Sequence, residues 1–166
     1  MHIWLYGVFI MLGAPSSQFI DDLLVIASEI EGNPAKEARW LALREQKSKA
    51  VGDRARQLLA NAKPITKTLS FWREDDGAKL SHEIRELVLP YKSEYGECEL
   101  VLSDSYYGDP KKQPNFAVLE VRQPGQSAST EYRPGAVLFM FFDGKDLNDQ
   151  PMTDIVTADN LLSLFE

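Results

Sequence analysis

The sequence predicts an α+β protein in which N-terminal helices, one of them long, pack on a mainly antiparallel C-terminal sheet followed by a short helix. Two observations lead to this class. Helical periodicity dominates the first half of the chain, and three apolar strand-like segments separated by Gly and Pro turns occupy the last third. Because helices cluster early and strands late, a doubly wound α/β sheet is disfavoured. The 166 residues fit a single globular domain spanning 1–166.

The N-terminal segment is predicted to form a buried strand. Residues 2–12 are almost wholly apolar and rich in aromatic and β-branched side chains. The segment is too short to cross a bilayer as a helix, which needs roughly 20 residues. No lysine or arginine precedes it, so a strand is favoured over a targeting segment.

Two helices are predicted next. Ser16 or the following serine caps the first helix, whose apolar stripe continues to residue 31, where Gly32 stops it. Asn33 as N-cap and Pro34 at the first helical position then begin a long helix over 34–62.

The remaining elements follow from the same periodicities. They are, in order, a strand over 65–72, a helix over 80–88 closed by Pro90, strands over 98–102, 116–121 and 136–142, and a short last helix capped by Thr157. Segment 136–142 has no polar face, which predicts a central position in its sheet.

The charge is unevenly distributed along the chain. The formal net charge of −7 is divided into −4 over residues 1–35, +5 over 36–63 and −8 over 64–166. An acidic chain disfavours nonspecific nucleic-acid binding. The basic helix is expected either to be neutralised within the fold or to form one of two faces of opposite potential.

Cysteine usage points to a reducing compartment. The single Cys98 excludes an internal disulfide, which favours a cytoplasmic location. It lies in an alternating strand pattern, so we expect a small buried hydrophobe and no nucleophile.

No cofactor or metal site is predicted. The chain has no glycine-rich phosphate loop, no Cys-x-x-Cys, no His-Glu-x-x-His and no calcium loop. His82 and Glu86 are four residues apart and would share one face of the predicted helix, an arrangement that can hold a metal. An exposed helical His/Glu pair is the commoner meaning of this spacing.

One constellation offers an enzymatic alternative. Asp109 followed by Glu120-Val-Arg122 resembles the PD-(D/E)xK nuclease pattern, with Glu83 or Glu86 as the outer acid. The resemblance implies that Asp109 and Glu120 hold a divalent ion that activates water. Arginine stands where that family has lysine, and a guanidinium does not replace a proton-transferring amine. The other interpretation of Glu120 and Arg122 is a surface ion pair.

The favoured hypothesis is a non-enzymatic acidic binding module, such as an inhibitor, immunity, anti-defence or chaperone-like protein. Its partner would be another protein with a basic surface, reached by electrostatic complementarity. The predicted contact residues are Trp40 and Arg44 on the long helix and the inter-strand pair Tyr106 and Tyr107. A further hypothesis is a subunit of a homo-oligomeric assembly, in which residues 2–12 pair with a neighbouring chain's sheet edge.

Overall fold

The computed structural model of the chain describes residues 28–69, 80–104, 116–142 and 147–166. The predicted strand over 2–12, Tyr106, Tyr107 and Asp109 lie outside these ranges. Within them the class is α+β: a long helix, a mainly antiparallel sheet of four strands and a short C-terminal helix. This confirms the predicted fold class.

The long helix α1, Pro34–Ala60, begins as the sequence predicts. The Asn33 side chain accepts a hydrogen bond from the backbone N–H of Lys36 at 3.2 Å, and Pro34 occupies the first helical turn. Just before it, residues 28–30 are helical and Gly32 adopts a positive φ of 72°, which ends the preceding helix.

Two antiparallel sheets follow. The element bounds are β1 Ile65–Leu69, β2 Leu80–Ile84, β3 Glu86–Ser93, β4 Gly96–Ser103, β5 Phe116–Arg122 and β6 Ala136–Phe142. Strands β1 and β2 pair with each other, and the larger sheet has the order β3-β4-β5-β6. The hydrogen-bond register shifts between Leu119 and Glu120, opposite β6, as in a β-bulge.

The predicted helix over 80–88 is wrong. This segment forms β2 and the start of β3, because its residues pair with β1 and β4. The period-two alternation of half-buried Leu87 and Leu89 with exposed Val88 and Pro90 is the strand pattern that the helical stripe concealed. Pro90 is tolerated because β3 is an edge strand of the described sheet.

Two further expectations need correction. Strand β6 was predicted to be central, and in the described sheet it lies at the end opposite β3. The last helix, α2, spans Met152–Leu162, so it begins before Thr157, whose hydroxyl instead donates to the carbonyl of Thr153 at 2.7 Å. A proline at 151 precedes the helix and marks its start.

The main core lies between one face of the larger sheet and the two helices. Its buried members include Val51, Ala55 and Leu59 from α1 and Ile155, Ala158 and Leu162 from α2, packed on Leu100, Leu102, Leu119, Phe139 and Phe141. Arg54 links the two helices, because its guanidinium donates to the Asp159 and Glu166 carboxylates at 2.7 and 2.9 Å.

Among the described residues, no helix is both long and apolar enough to cross a membrane.

The opposite face of the larger sheet is also covered. Val101, Val118 and Ile84 are buried there, outside the helical core. Strand β1 reaches this layer through Thr68, whose N–H donates to the Thr130 carbonyl and whose carbonyl accepts from the Tyr132 N–H, both at 2.9 Å. The connection between β5 and β6 and the small sheet therefore form a second layer over the strands.

Candidate functional site

Four charged side chains meet in the second layer and form the buried ion cluster: Lys67, Glu86, Glu120 and Arg122. Alternation along β5 places Glu120 and Arg122 on the same face of the sheet, and β3 supplies Glu86. Lys67 arrives from β1. The side chains are between 0% and 4% exposed, so the cluster is internal.

The geometry of the buried ion cluster pairs two cations with two anions. Arg122 Nε donates to Glu120 Oε1 at 2.7 Å, and Arg122 Nη1 lies 2.8 Å from Glu86 Oε1. The ammonium of Lys67 donates to Glu86 Oε2 at 3.0 Å and to the Ser127 carbonyl at 2.8 Å. The centre of the guanidinium also lies 5.4 Å from the centroid of the Tyr132 ring.

The buried guanidinium keeps its charge. Burial alone would lower the pKa of Arg122, but the carboxylates of Glu120 and Glu86 outweigh it and raise that pKa above its ordinary value. Because charges are expensive to bury unless they are paired and hydrogen-bonded, this pairing accounts for how four ionisable side chains fit inside the protein.

The cluster changes the interpretation of the nuclease-like residues. The predicted surface pair of Glu120 and Arg122 exists, but it is buried, so the expectation of a surface pair is wrong. Both oxygens of Glu120 are engaged, Oε1 by Arg122 and Oε2 by the N–H of Gly135 at 2.9 Å. Glu83 is exposed on β2, and the partner acid Asp109 lies outside the described residues.

The predicted helical pair of His82 and Glu86 does not form as expected. The two residues lie on consecutive strands, β2 and β3, so they do not share a helix face. Glu86 is instead committed to Lys67 and Arg122. Across the described parts of the chain, no group of three or more His, Cys, Asp or Glu side chains is placed to hold a metal ion.

A second feature lies at the surface, at the turn between β3 and β4. We call residues 93–97 the hairpin tip. Strands β3 and β4 pair up to Ser93 and Gly96, which leaves Glu94 and Tyr95 as the turn residues. Tyr95 is 71% exposed, although a tyrosine ring is a large apolar surface.

The hairpin tip is held by one hydroxyl. Ser93 Oγ donates to the Gly96 carbonyl at 3.1 Å and accepts from the Tyr95 N–H at 3.2 Å. Gly96 has a φ of 128°, a conformation that other residues rarely adopt. The backbone that presents Tyr95 is therefore constrained on both sides of the turn.

Two clefts adjoin the hairpin tip. The first, of about 430 Å³, extends from Tyr95 and Cys98 to the β5–β6 connection at Pro124 and Gln126. The second, of about 320 Å³, is lined by Val88, Pro90, Tyr91, Lys92, Glu97, Cys98, Glu99 and Pro124. Both clefts offer apolar and polar lining groups, and the exposed ring of Tyr95 lines the first of them.

The charge around the tip is negative. Glu94 in the turn and Glu97 at the start of β4 are exposed, and Glu99 follows on the same strand. Burial alone would raise the pKa of Glu99, but hydrogen bonds from Ser127 and from the backbone N–H groups of Gly125 and Ser127 lower it below 4.5. Glu99 is therefore ionised at neutral pH and adds to the acidic character of this region.

The remaining predicted residues have separate positions. Trp40 is partly buried against the helical core and Arg44 is half-buried on α1. Cys98 is a free, half-buried thiol that packs against the core, and burial raises its pKa, with the Glu99 charge adding to this. A raised pKa keeps the thiol protonated, in agreement with the small hydrophobe predicted from the sequence.

Sequence reasoning missed Tyr95. The prediction looked for an aromatic contact between β4 and β5, at Tyr106 and Tyr107. The sequence Ser93-Glu94-Tyr95-Gly96 was the available indication, because serine and glycine flank many tight turns. Because residues 80–88 were predicted as a helix, β3 was not recognised. Without β3 there was no β3–β4 hairpin in which residues 93–96 could be identified as the turn.

The basic segment is partly neutralised within the fold. Lys49 and Arg56 both pair with Asp53 on α1 at 2.6 Å, and Arg54 pairs with the C-terminal acids described above. Within the described parts of the chain, these ion pairs give acidic partners to three of the eight basic residues between 36 and 63.

Comparison of the chain with protein-family models, with curated proteins and with solved structures found no match, so no family is assigned to it.

Proposed function

We propose that this chain is a non-enzymatic acidic binding module that acts by contacting another protein, as an inhibitor, immunity, anti-defence or chaperone-like protein does. The hairpin tip is its contact site. The observation that carries the proposal is the 71% exposure of Tyr95 between two exposed acids. Tyrosine is enriched among the residues that dominate binding energy at protein interfaces.

The tip suits a binding role because its backbone is ordered before any partner arrives. The two hydrogen bonds of Ser93 hold the turn, so little conformational entropy is lost when Tyr95 is immobilised. The adjoining clefts beside Cys98 and Pro124 can receive side chains of the partner. An aromatic anchor next to concave surface is the arrangement found at the centre of many interfaces.

The chemistry of the partner follows from charge. Glu94 and Glu97 flank the tyrosine, and the chain as a whole carries −7. A partner with lysine or arginine around an apolar pocket would be attracted at long range and would associate faster at low salt. Trp40, Arg44, Tyr106 and Tyr107 remain predicted contacts in addition to the tip.

The buried ion cluster favours the proposed non-enzymatic function over the nuclease alternative. The carboxylate of Glu120, which the nuclease resemblance would need for a metal, is enclosed by Arg122 and the Gly135 N–H. A metal ligand must offer an oxygen lone pair to the ion, and hydrogen bonds already engage both oxygens of Glu120.

We also propose a cytoplasmic location, which the single unpaired Cys98 supports.

The test is recovery of partners from the native host with three forms of the full chain. Tyr95→Ala is compared with wild type and with Leu164→Ala, a matched control in which an apolar residue 48% exposed at the C-terminus is truncated. We expect a partner that binds wild type and Leu164→Ala and binds Tyr95→Ala at least tenfold more weakly, since a hot-spot residue contributes about 2 kcal/mol or more.

Charge is tested on the recovered complex. The double variant Glu94→Gln/Glu97→Gln should lower the association rate and flatten its dependence on NaCl, whereas Glu83→Gln, an exposed acid on β2, should leave both unchanged. Equal binding by Tyr95→Ala and wild type would refute the contact site. Failure to recover any partner, together with magnesium-dependent cleavage of nucleic acid, would refute the function.

A further inference from the structure

The first cleft beside the hairpin tip combines an aromatic ring with a carboxylate. Tyr95 and Glu97 both line this cleft of about 430 Å³. Tyr95 is 71% exposed, and Glu97 is exposed as well. The face of an aromatic ring carries partial negative charge and an ionised carboxylate carries a full one, so both groups attract a cation.

No cation of the described chain is paired with this carboxylate. Within the described residues, no ion pair includes Glu97. Arg122 also lines the first cleft, but its side chain is 0% exposed and is paired with Glu120 and Glu86. Lys92, the cross-strand neighbour of Glu97, lines the second cleft and not the first. The first cleft therefore favours an incoming positive charge.

The two groups distinguish arginine from lysine. A guanidinium is planar, so its face can stack on the Tyr95 ring while its edge donates two parallel hydrogen bonds to the Glu97 carboxylate. An ammonium is a compact and more strongly hydrated point charge, which suits neither arrangement as well. The same combination occurs inside this protein, where the Arg122 guanidinium lies 5.4 Å from the centroid of the Tyr132 ring and pairs with Glu120.

We propose that the partner is anchored by an arginine side chain, which enters the first cleft, stacks on Tyr95 and pairs with Glu97. Pro124 and Pro134 also line this cleft and offer apolar surface to the methylene stem of the arginine. The inference rests on the proposed function, because it names the group that the hairpin tip binds.

The first experiment needs no identified partner. The isotope-labelled full chain is titrated with the blocked tripeptide acetyl-Gly-Arg-Gly-amide, and the backbone amide signals are followed by NMR. Matched probes carry lysine or citrulline, the uncharged isostere of arginine, at the central position. We expect the arginine probe to shift the signals of Tyr95 and Glu97. The lysine probe should bind about threefold more weakly, and the citrulline probe about tenfold more weakly.

Two exposed acids of the hairpin tip give a matched pair of variants. Glu97→Gln removes the carboxylate that lines the first cleft, whereas Glu94→Gln removes a charge that lines neither of the two clefts. Tyr95→Leu removes the ring and keeps an apolar side chain. We expect Glu97→Gln and Tyr95→Leu to weaken binding of the arginine probe about fivefold, and Glu94→Gln to weaken it less than about twofold.

Three results would overturn the inference: no shift with the arginine probe, equal binding of the arginine and citrulline probes, or equal effects of Glu97→Gln and Glu94→Gln.

The complex recovered from the host separates failure of this inference from failure of the proposed function. Glu97→Gln should speed dissociation of that complex, whereas Glu94→Gln should change mainly its association rate. A complex that Tyr95→Ala weakens, but whose dissociation rate is the same in Glu97→Gln and Glu94→Gln, would keep the proposed contact site and overturn the arginine anchor. Equal binding by Tyr95→Ala and wild type would overturn the contact site itself.

Discussion

Arg122 and Glu120 lie two residues apart on one face of β5 and form an ion pair inside the protein, with Arg122 Nε donating to Glu120 Oε1 at 2.7 Å. The pair joins three parts of the fold. Glu120 also accepts from the Gly135 N–H before β6, and Arg122 also reaches Glu86 on β3. Removing either partner would leave the other charge buried and incompletely compensated.

The first prediction follows from this pair. Glu120→Gln should lower the free energy of unfolding by about 3–5 kcal/mol, because it leaves Arg122 without its closest counter-charge. Urea denaturation measures the loss, and Glu83→Gln, at an exposed site on β2, should change it very little. The nuclease alternative expects instead that Glu120→Gln abolishes cleavage at unchanged stability. Equal stability of the two variants would contradict a structural role for Glu120.

The second prediction concerns Gly135. A Cβ on this residue would lie 2.0 Å from the Val121 carbonyl oxygen, so neither backbone segment has room for it. Gly135→Ala should lower the free energy of unfolding by about 3 kcal/mol or more. It creates a clash, and it displaces the Gly135 N–H from which Glu120 accepts a hydrogen bond. Gly32 also has a positive φ, but the space around it is open. Gly32→Ala should therefore lower the free energy of unfolding by only about 1–2 kcal/mol. Thermal unfolding of both variants tests this order, which a reversed ranking would disprove.

The third prediction concerns a polar residue on the buried face of α1. Ser48 Oγ accepts a hydrogen bond from the Leu147 N–H at 2.6 Å, and Ser48 is fully buried. Ser48→Ala should lower the free energy of unfolding by about 1–3 kcal/mol, because the Leu147 N–H would lose its acceptor. Gln57→Ala, at an exposed position on the same helix, is the control. An unchanged free energy of unfolding in Ser48→Ala would show that the Ser48 hydroxyl does not contribute to stability.

The fourth prediction is a dependence on pH. The pKa of Glu99 is lower in the folded protein than its ordinary value of 4.5, so the folded state binds the proton less readily than the unfolded state does. Its stabilising contribution is therefore complete above about pH 4.5 and is lost as the pH falls through the lower folded value. The difference in stability between wild type and Glu99→Gln should be largest at neutral pH and shrink as the pH falls below about 4.5. A difference that stays constant as the pH falls would show that the ionisation of Glu99 does not contribute to stability.

Local patterns were sufficient for part of this structure. Asn33 and Pro34 specify where α1 begins because a capping side chain and a fixed φ act within a few residues. The apolar segments of β4, β5 and β6 were also recognisable, since turn residues bound each of them. Together they were enough for the α+β class.

Residues 80–88 show where local pattern was insufficient. Leu80, Ile84 and Leu87 fit a helical stripe, yet pairing with the preceding strand β1 and the following strand β4 makes this segment β2 and part of β3. The alternation of half-buried and exposed residues from Leu87 to Pro90 indicates a strand and not a helix.

The sequence by itself determined the start of α1, the segments of β1, β4, β5 and β6, and the placement of Glu120 and Arg122 on one strand face, because each depends on spacing along the chain. The tertiary structure alone decided that this pair is internal, that β6 lies at an edge of the described sheet and that Tyr95 is at an exposed hairpin tip. Burial and strand order depend on which distant segments cover a residue, and Glu86 and Tyr132 contact Arg122 from positions that no local spacing relates to it.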